Sequence, residues 1–171
     1  MKAPGLFLSA LLLTHAAAAG PETEAAKKQA QRCADAQIAK DYATVISFTH
    51  PALVKAAGGK EALRKALEAA MKQVAEQKIT FEKTVIRSAA EPKKVEKALV
   101  STLVQEVTLR TGAGKLTQES TLLGYSFDGG KNWVFADTGE MDEAAFNKFF
   151  PDLKGIISLP EKKDPILVQD K

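Results

Sequence analysis

The chain carries a single cysteine and two histidines in 171 residues. One cysteine closes no internal disulfide, so in an oxidising compartment it either bridges two molecules or is buried. Cys33 stands at helical spacing with Ala26, Ala30 and Ala34, which favours burial. His15 falls in the N-terminal leader discussed below, which leaves His50 alone in the body of the chain. A zinc site of nitrogen and sulfur ligands would therefore have to join His50, Cys33 and carboxylates, and a Ser-His-Asp arrangement could run only through His50. A Gly-rich phosphate loop and a dinucleotide fingerprint are both missing, so neither a cofactor nor a metal is expected. An excess of one charge sign is missing too. Lys and Arg number 24 against 21 Asp and Glu, spread along the chain, and this balance offers nucleic acid no footprint. Lys60, Arg64, Lys65 and Lys72 alternate with Glu61, Glu68 and Glu76, as on the solvated face of an amphipathic helix.

No apolar run reaches the ~20 residues needed to span a bilayer. What the N-terminus does have is a charge at Lys2, the apolar stretch Gly5 to Leu13, polar Thr14 and His15, and then Ala16-Ala17-Ala18-Ala19-Gly20. A basic start, a short apolar core and an Ala-x-Ala exit make residues 1–19 a secretory signal peptide of bacterial style, with cleavage after Ala18 or Ala19. A lipoprotein would need Cys directly after the apolar core, and Cys33 is preceded by Gln31 and Arg32. The expected product is a periplasmic or secreted protein without a membrane anchor, of about 152 residues, enough for one domain with a hydrophobic core. Losing Lys2 lowers its formal charge from +3 to +2.

From Glu22 to about Lys40 the residues are strong helix formers behind Pro21, with Ala26, Ala30, Cys33, Ala34 and Ile38 on one face. Asp41 interrupts that helix or starts a second, which carries Tyr42, Val45 and Ile46 and stops at Thr49-His50-Pro51. Ala52 to Ala57 is ambiguous between a short strand and a helical turn. After Gly58-Gly59, Lys60 to about Gln77 predicts a long helix with a buried stripe of Leu63, Leu67, Ala70, Met71 and Val74. The period then changes to two. Ile79, Phe81, Lys83 and Val85 alternate with Thr80, Glu82, Thr84 and Ile86 in a strand, followed by a polar turn at Glu91 to Lys94. Long strands over about 97–110 and 115–127 are joined at Thr111 to Gly114, and a last strand lies at Trp133 to Ala136. Asp142 to Phe149 closes the domain as a short helix, and residues 161–171 form a loose polar tail. This order describes an α+β domain over residues 20–160, with N-terminal helices packed on one face of a curved antiparallel meander and a short C-terminal helix.

Two segments carry a family likeness. One is Lys40-Asp41-Tyr42-Ala43 with Phe48-Thr49-His50-Pro51 and Gly58-Gly59-Lys60-Glu61-Ala62-Leu63; the other is the meander ending in Ser126-Phe127-Asp128-Gly129-Gly130-Lys131-Asn132-Trp133. Over roughly Glu22 to Pro160 the chain resembles the NTF2-like (SnoaL-like, cystatin-like) superfamily. That resemblance implies a cone-shaped pocket between sheet and helices, in which the superfamily's enzymes place an Asp or His. The superfamily spans isomerases, dehydratases, cyclases, transport factors and pocket proteins, so the fold does not choose among them. Ser126 to Trp133 also has the Asp-box spacing, with Asn132 in place of Thr. One copy in so short a chain makes no propeller; it reads as a turn held by Asp128 and anchored by Trp133.

Candidate pocket residues are Asp41, Tyr42 and His50 on the helical side, and Gln105, Glu106, Glu119 and Tyr125 on the sheet. Asp41 and His50 are the candidates for catalysis, and Tyr42, Gln105 and Tyr125 for ligand contact. A desolvated carboxylate among them would act as a general base. Against that, Asp41 is well placed to cap the helix after it, His50 to bond backbone in a turn, and Glu106 and Glu119 to face water. The acidic group Asp137, Glu140, Asp142 and Glu143 lacks calcium-loop spacing and suits a helix start. Three functions remain open: a non-catalytic module binding a small apolar molecule or a peptide, a pocket enzyme of isomerase or dehydratase type, and an interaction domain that forms a homodimer or docks on another envelope protein.

Overall fold

The structure, a computed structural model, describes residues 19–158 and 163–168. Residues 1–18, which hold nearly all of the expected signal peptide, lie outside the described residues, as do parts of the tail. No helix among the described residues is long and apolar enough to cross a membrane.

Four helices come first: α1 (Pro21–Ile38), α2 (Tyr42–Phe48), α3 (Pro51–Ala56) and α4 (Lys60–Glu76). The strands are β1 (Thr80–Ala89), β2 (Lys93–Val95), β3 (Ala98–Thr111), β4 (Gly114–Ser126), β5 (Val134–Asp137) and β6 (Ile166–Val168), with α5 (Glu143–Phe149) and a 3-10 turn at Pro151–Leu153 before β6. The curved sheet is antiparallel, in the order β1-β3-β4-β5. Short β2 and β6 add to β3 and β4. The ambiguous segment is helical: His50 caps α3 by accepting the Ala52 N–H on Nδ1 at 3.2 Å, and Pro51 fits the first turn.

Because alternate strand residues face opposite ways, the sheet has two cores. On one face Leu103, Leu122, Trp133, Phe135 and Ile86 enclose Ala26 and Ala30 of α1. Both alanines are fully buried, and their small size lets the helix backbone lie close to the sheet. Gly124 completes this fit, since a Cβ there would meet Leu103 Cδ1 at 3.1 Å, Phe135 Cε1 at 3.2 Å and Trp133 Cε3 at 3.3 Å. Cys33 packs half-buried on the edge of this cluster as a free thiol, and burial pushes it up to about 11. On the other face Val100, Leu123, Tyr125 and Ala136 pack with Phe146, Phe150 and Leu153 from α5 and the turn after it. Helices thus cover both faces of the sheet at one end, not one face alone.

Three further expectations are corrected. The stripe on α4 is half-buried: Leu63, Leu67, Met71 and Val74 are intermediate, Ala70 is exposed, and no residue of α4 is fully buried. The reason is placement, since α4 rests on α2 and α3 rather than on the sheet. Strict alternation fails in β1, where register shifts between Phe81 and Lys83 and between Ile86 and Ser88 bring Phe81, Thr84 and Ile86 to the α1 face. The tail is not wholly loose, because Ile166–Val168 pairs with Lys115–Thr117.

Long-range side-chain bonds dock α1. The Gln31 amide accepts the Ile86 N–H at 3.0 Å and donates to the Thr84 carbonyl at 2.9 Å, and Gln29 does the same for the Trp133 N–H and the Lys131 carbonyl, each at 2.9 Å. In the Ser126 to Trp133 turn, Asp128 accepts the Asn132 backbone and side-chain N–H groups and the Ser126 hydroxyl. These bonds, the Asn132 backbone bond foremost, hold its carboxyl down at about 2.

Candidate functional site

Helix α1 ends at Ile38, but the face it covers continues along β1, β3 and β4. Past Gln37 that face opens into a cavity of about 440 Å³. Phe81, Val107 and Leu109 supply apolar wall, and Gln37, Thr84 and Gln118 add polar groups. Along β3, Leu103, Gln105, Val107 and Leu109 point the same way, and the hairpin register sets Ser120 opposite Gln105 and Gln118 opposite Val107. Beyond the end of α1 the pairs on this face change from two leucines, Leu103 and Leu122, to the polar pair Gln105 and Ser120 and the mixed pair Val107 and Gln118, before two leucines return at Leu109 and Leu116.

Gln105, Ser120 and Asp137 form the polar corner of the cavity. Asp137 ends β5 opposite Leu122, one same-face step from Ser120. Gln105 Nε2 donates to Ser120 Oγ at 2.8 Å and to Asp137 Oδ2 at 2.7 Å. The Gly139 N–H donates to Asp137 Oδ1 at 2.8 Å. Thr138 turns the chain away by donating twice to the Thr121 carbonyl, at 3.0 Å from its N–H and 2.8 Å from its hydroxyl. Gly139 lies so close that a Cβ would meet Ser120 Cβ at 3.0 Å. Asp137 is an exposed residue at the edge of the cavity, with its carboxyl held by these bonds and open on its remaining side to the cavity and to water. Burial pushes its pKa above the ordinary value; the Gly139 N–H, Gln105 and Ser120 pull the other way, and the charge of Glu140 adds to the rise. Glu140 is the second acid of the lining, and the lining contains no Lys, Arg or His among the described residues.

Of the candidate pocket residues named from the sequence, the cavity takes in Gln105 alone, joined by Asp137 and Glu140 of the acidic group. Tyr42, half-buried, opens α2 away from the lining. Asp41 caps α2, accepting the Thr44 N–H at 3.1 Å and the Thr44 hydroxyl at 2.6 Å, and these bonds lower its pKa. His50 and Tyr125 meet each other instead, with ring centroids 4.6 Å apart in the opposite core beside Phe150. The Tyr125 hydroxyl donates to Asp152 at 3.1 Å. Burial lowers the His50 pKa and raises that of Tyr125. Glu106 and Glu119 face away from the cavity and pair with Arg87 and Lys163. The acidic group is dispersed, since Asp142 caps α5 by accepting the Ala145 N–H at 2.7 Å, while Asp137 belongs to the cavity. Among the described residues no group of three or more His, Cys, Asp or Glu is placed to hold a metal ion.

Ser120 was missed in the sequence, and Asp137 was read there only as part of an acidic group before a helix. The signal for Ser120 was the hairpin register: a two-residue loop at Gly112-Ala113 sets Thr111 against Gly114, and Ser120 against Gln105. Asp137 gives no such local signal, because its meaning depends on where α1 stops. No family model, curated protein or solved structure matches the chain.

Proposed function

We propose that this chain is an exported NTF2-like domain, delivered to the periplasm or secreted by a cleavable signal peptide, and that it is a non-catalytic module whose cavity holds a small, largely apolar molecule. The observation that carries this reading is the cavity itself. At about 440 Å³ it falls in the range of small-molecule sites, and its make-up of apolar walls with a few convergent polar groups is the usual one for such sites. Binding without chemistry is favoured by the way the corner is wired. Gln105 spends its amide N–H groups on Ser120 and Asp137, so the donor nearest the acid is not free to steady an oxyanion, as isomerase or dehydratase chemistry would require.

The test is native mass spectrometry of the protein recovered from the cell that exports it, beside Val107→Trp, which fills the cavity with an indole. A small co-purifying mass on the native protein, lost in a folded Val107→Trp, is the expected result. Bare protein in both samples counts against a ligand, and turnover of a bound molecule would move the reading to the pocket enzyme.

An interaction domain draws on a separate observation, the half-exposed stripe Leu63, Leu67, Met71 and Val74 on α4. Sedimentation tests it: a dimer that Leu67→Glu dissociates would favour that reading, and a monomer at all concentrations would end it.

A further inference from the structure

The lining of the cavity is lopsided in charge. The chain as a whole is nearly balanced in charge, with 24 Lys and Arg against 21 Asp and Glu, yet the two ionisable residues among the described residues of the lining are both acids, Asp137 and Glu140, the latter with an interaction of its own. The polar corner is lopsided in hydrogen bonding as well. Gln105 is buried to all but 7% of its surface, and both bonds of its side chain are made by Nε2. Its Oε1 has no partner among the described residues and, as no buried polar atom is left unsatisfied, it reaches the open space of the cavity. A carboxylate has about four acceptor sites, and the donors directed at Asp137 are the Gln105 amide, the Gly139 N–H and the Ser120 hydroxyl, which leaves acceptor capacity over. The corner therefore presents spare acceptors around one point, enclosed on one side by Phe81, Val107 and Leu109.

We propose that the ligand is a small amphipathic amine, with its protonated amino group on Asp137 and Gln105 Oε1 and its apolar body along Phe81, Val107 and Leu109. This rests on the cavity being a binding site and adds the chemical class of what it binds. An ammonium group has three N–H donors and no acceptor, the complement of this corner. A ligand carboxylate or phosphate would meet the Asp137 carboxylate, with no Lys, Arg or His among the described lining residues to offset it. A neutral alcohol offers one donor and no charge to set against that of Asp137. The Glu140 carboxylate adds to the negative potential without having to touch the ligand.

The test uses three probes that share one apolar body and differ in the head group: 2-phenylethylamine, 2-phenylethanol and 3-phenylpropionate. Each is titrated into the purified native protein near neutral pH, and binding is followed through the backbone amide signals of Gln105, Ser120 and Gly139. The amine is expected to shift these signals and to bind about tenfold or more tighter than the alcohol, as charge-assisted hydrogen bonds require. The propionate is expected to be the weakest. Asp137→Asn should bring the amine down to the level of the alcohol. The comparison of the three probes on the native protein needs no variant, so it holds if Asp137→Asn folds poorly. Equal or tighter binding of the alcohol or the propionate at these residues overturns the amine and leaves the cavity as a binding site. No shift at the cavity with any probe up to about 10 mM, a concentration that would nearly saturate a millimolar site, overturns both.

Discussion

Replacing Leu103 with Ala tests which helix holds the fold. Leu103 is fully buried against Ala26, Ala30, Ile86, Leu122, Trp133 and Phe135. Its neighbours on the α1 side are alanines, which have no side chain to move into a void, and on the sheet side they are large rings fixed by strand register. The cavity left behind should therefore persist, and the cost belongs in the upper part of the range for buried leucines, about 3–4 kcal/mol. Leu67 on α4 is the control. Its side chain is half in water already, so Leu67→Ala should cost about 1 kcal/mol or less, in proportion to the apolar area it still covers. Trp133 is the only tryptophan and lies in the same cluster as Leu103, so urea unfolding can be followed by its emission. At about 2 kcal/mol/M for a domain of this size, Leu103→Ala should lower the midpoint by about 1.5–2 M with an unchanged slope, and Leu67→Ala by less than about 0.5 M. Equal losses would refute the reasoning, because they would mean that α4 buries its stripe in solution and the protein does not rest chiefly on α1.

Gly124→Ala should cost about 1–3 kcal/mol by crowding Leu103, Trp133 and Phe135, and the cost should shrink in the Leu103→Ala background, where one of the three contacts is gone; additive losses in urea would show that the crowding lies elsewhere. Cys33, with its thiol pushed up to about 11, should be about one part in 10⁴ thiolate at neutral pH and react with iodoacetamide far more slowly than the urea-unfolded chain; equal rates would place the thiol in water. Asp137 holds its proton to higher pH folded than unfolded, so its contribution to stability is present below the ordinary carboxyl value and is lost as pH rises through the raised one. From about pH 4 to about pH 7, which brackets a raised carboxyl, the urea midpoint of the native protein should fall relative to that of Asp137→Asn, and a constant difference between the two would refute the raised pKa.

The elements were legible because each has a local cause. Ala26, Ala30 and Cys33 at helical spacing gave α1, Gly58-Gly59 gave the break before α4, and the glycines at 112 and 114 gave the β3–β4 hairpin to within a residue. Capping by Asp41 and backbone bonding by His50 followed from side chains that reach neighbours in sequence. What was not legible depends on placement. The apolar stripe of α4 has the same period whether it meets a sheet or two short helices, so its pattern predicted a burial that its position does not give. The bulges in β1 changed the face on which Thr84 and Ile86 lie, and no residue there announces them. His50 and Tyr125 looked like pocket groups because both are polar aromatics near the helices, but the odd-numbered residues of β4 face the other core.

The cavity itself follows from the length of one helix. Where α1 lies on the sheet, the facing pair is Leu103 and Leu122, and Ala26 and Ala30 fill the space between. One pair further on, past the reach of α1, stand Gln105 and Ser120, with Asp137 beside them. A sheet built only to be covered would keep leucines at this pair, as it has them again at Leu109 and Leu116, and a longer α1 would cover them, since burying apolar area favours folding. Polar residues at those positions work against that, and an acid whose charge is disfavoured by its surroundings works against it further. Each of them is bonded, so the corner is not a packing fault. Perturbed acids in clefts cluster where proteins bind or react, and here the donors nearest the acid are turned onto it while acceptors face the open space. That arrangement favours a partner that brings its own protons, which is why the amine is the probe on which the reading of this cavity turns.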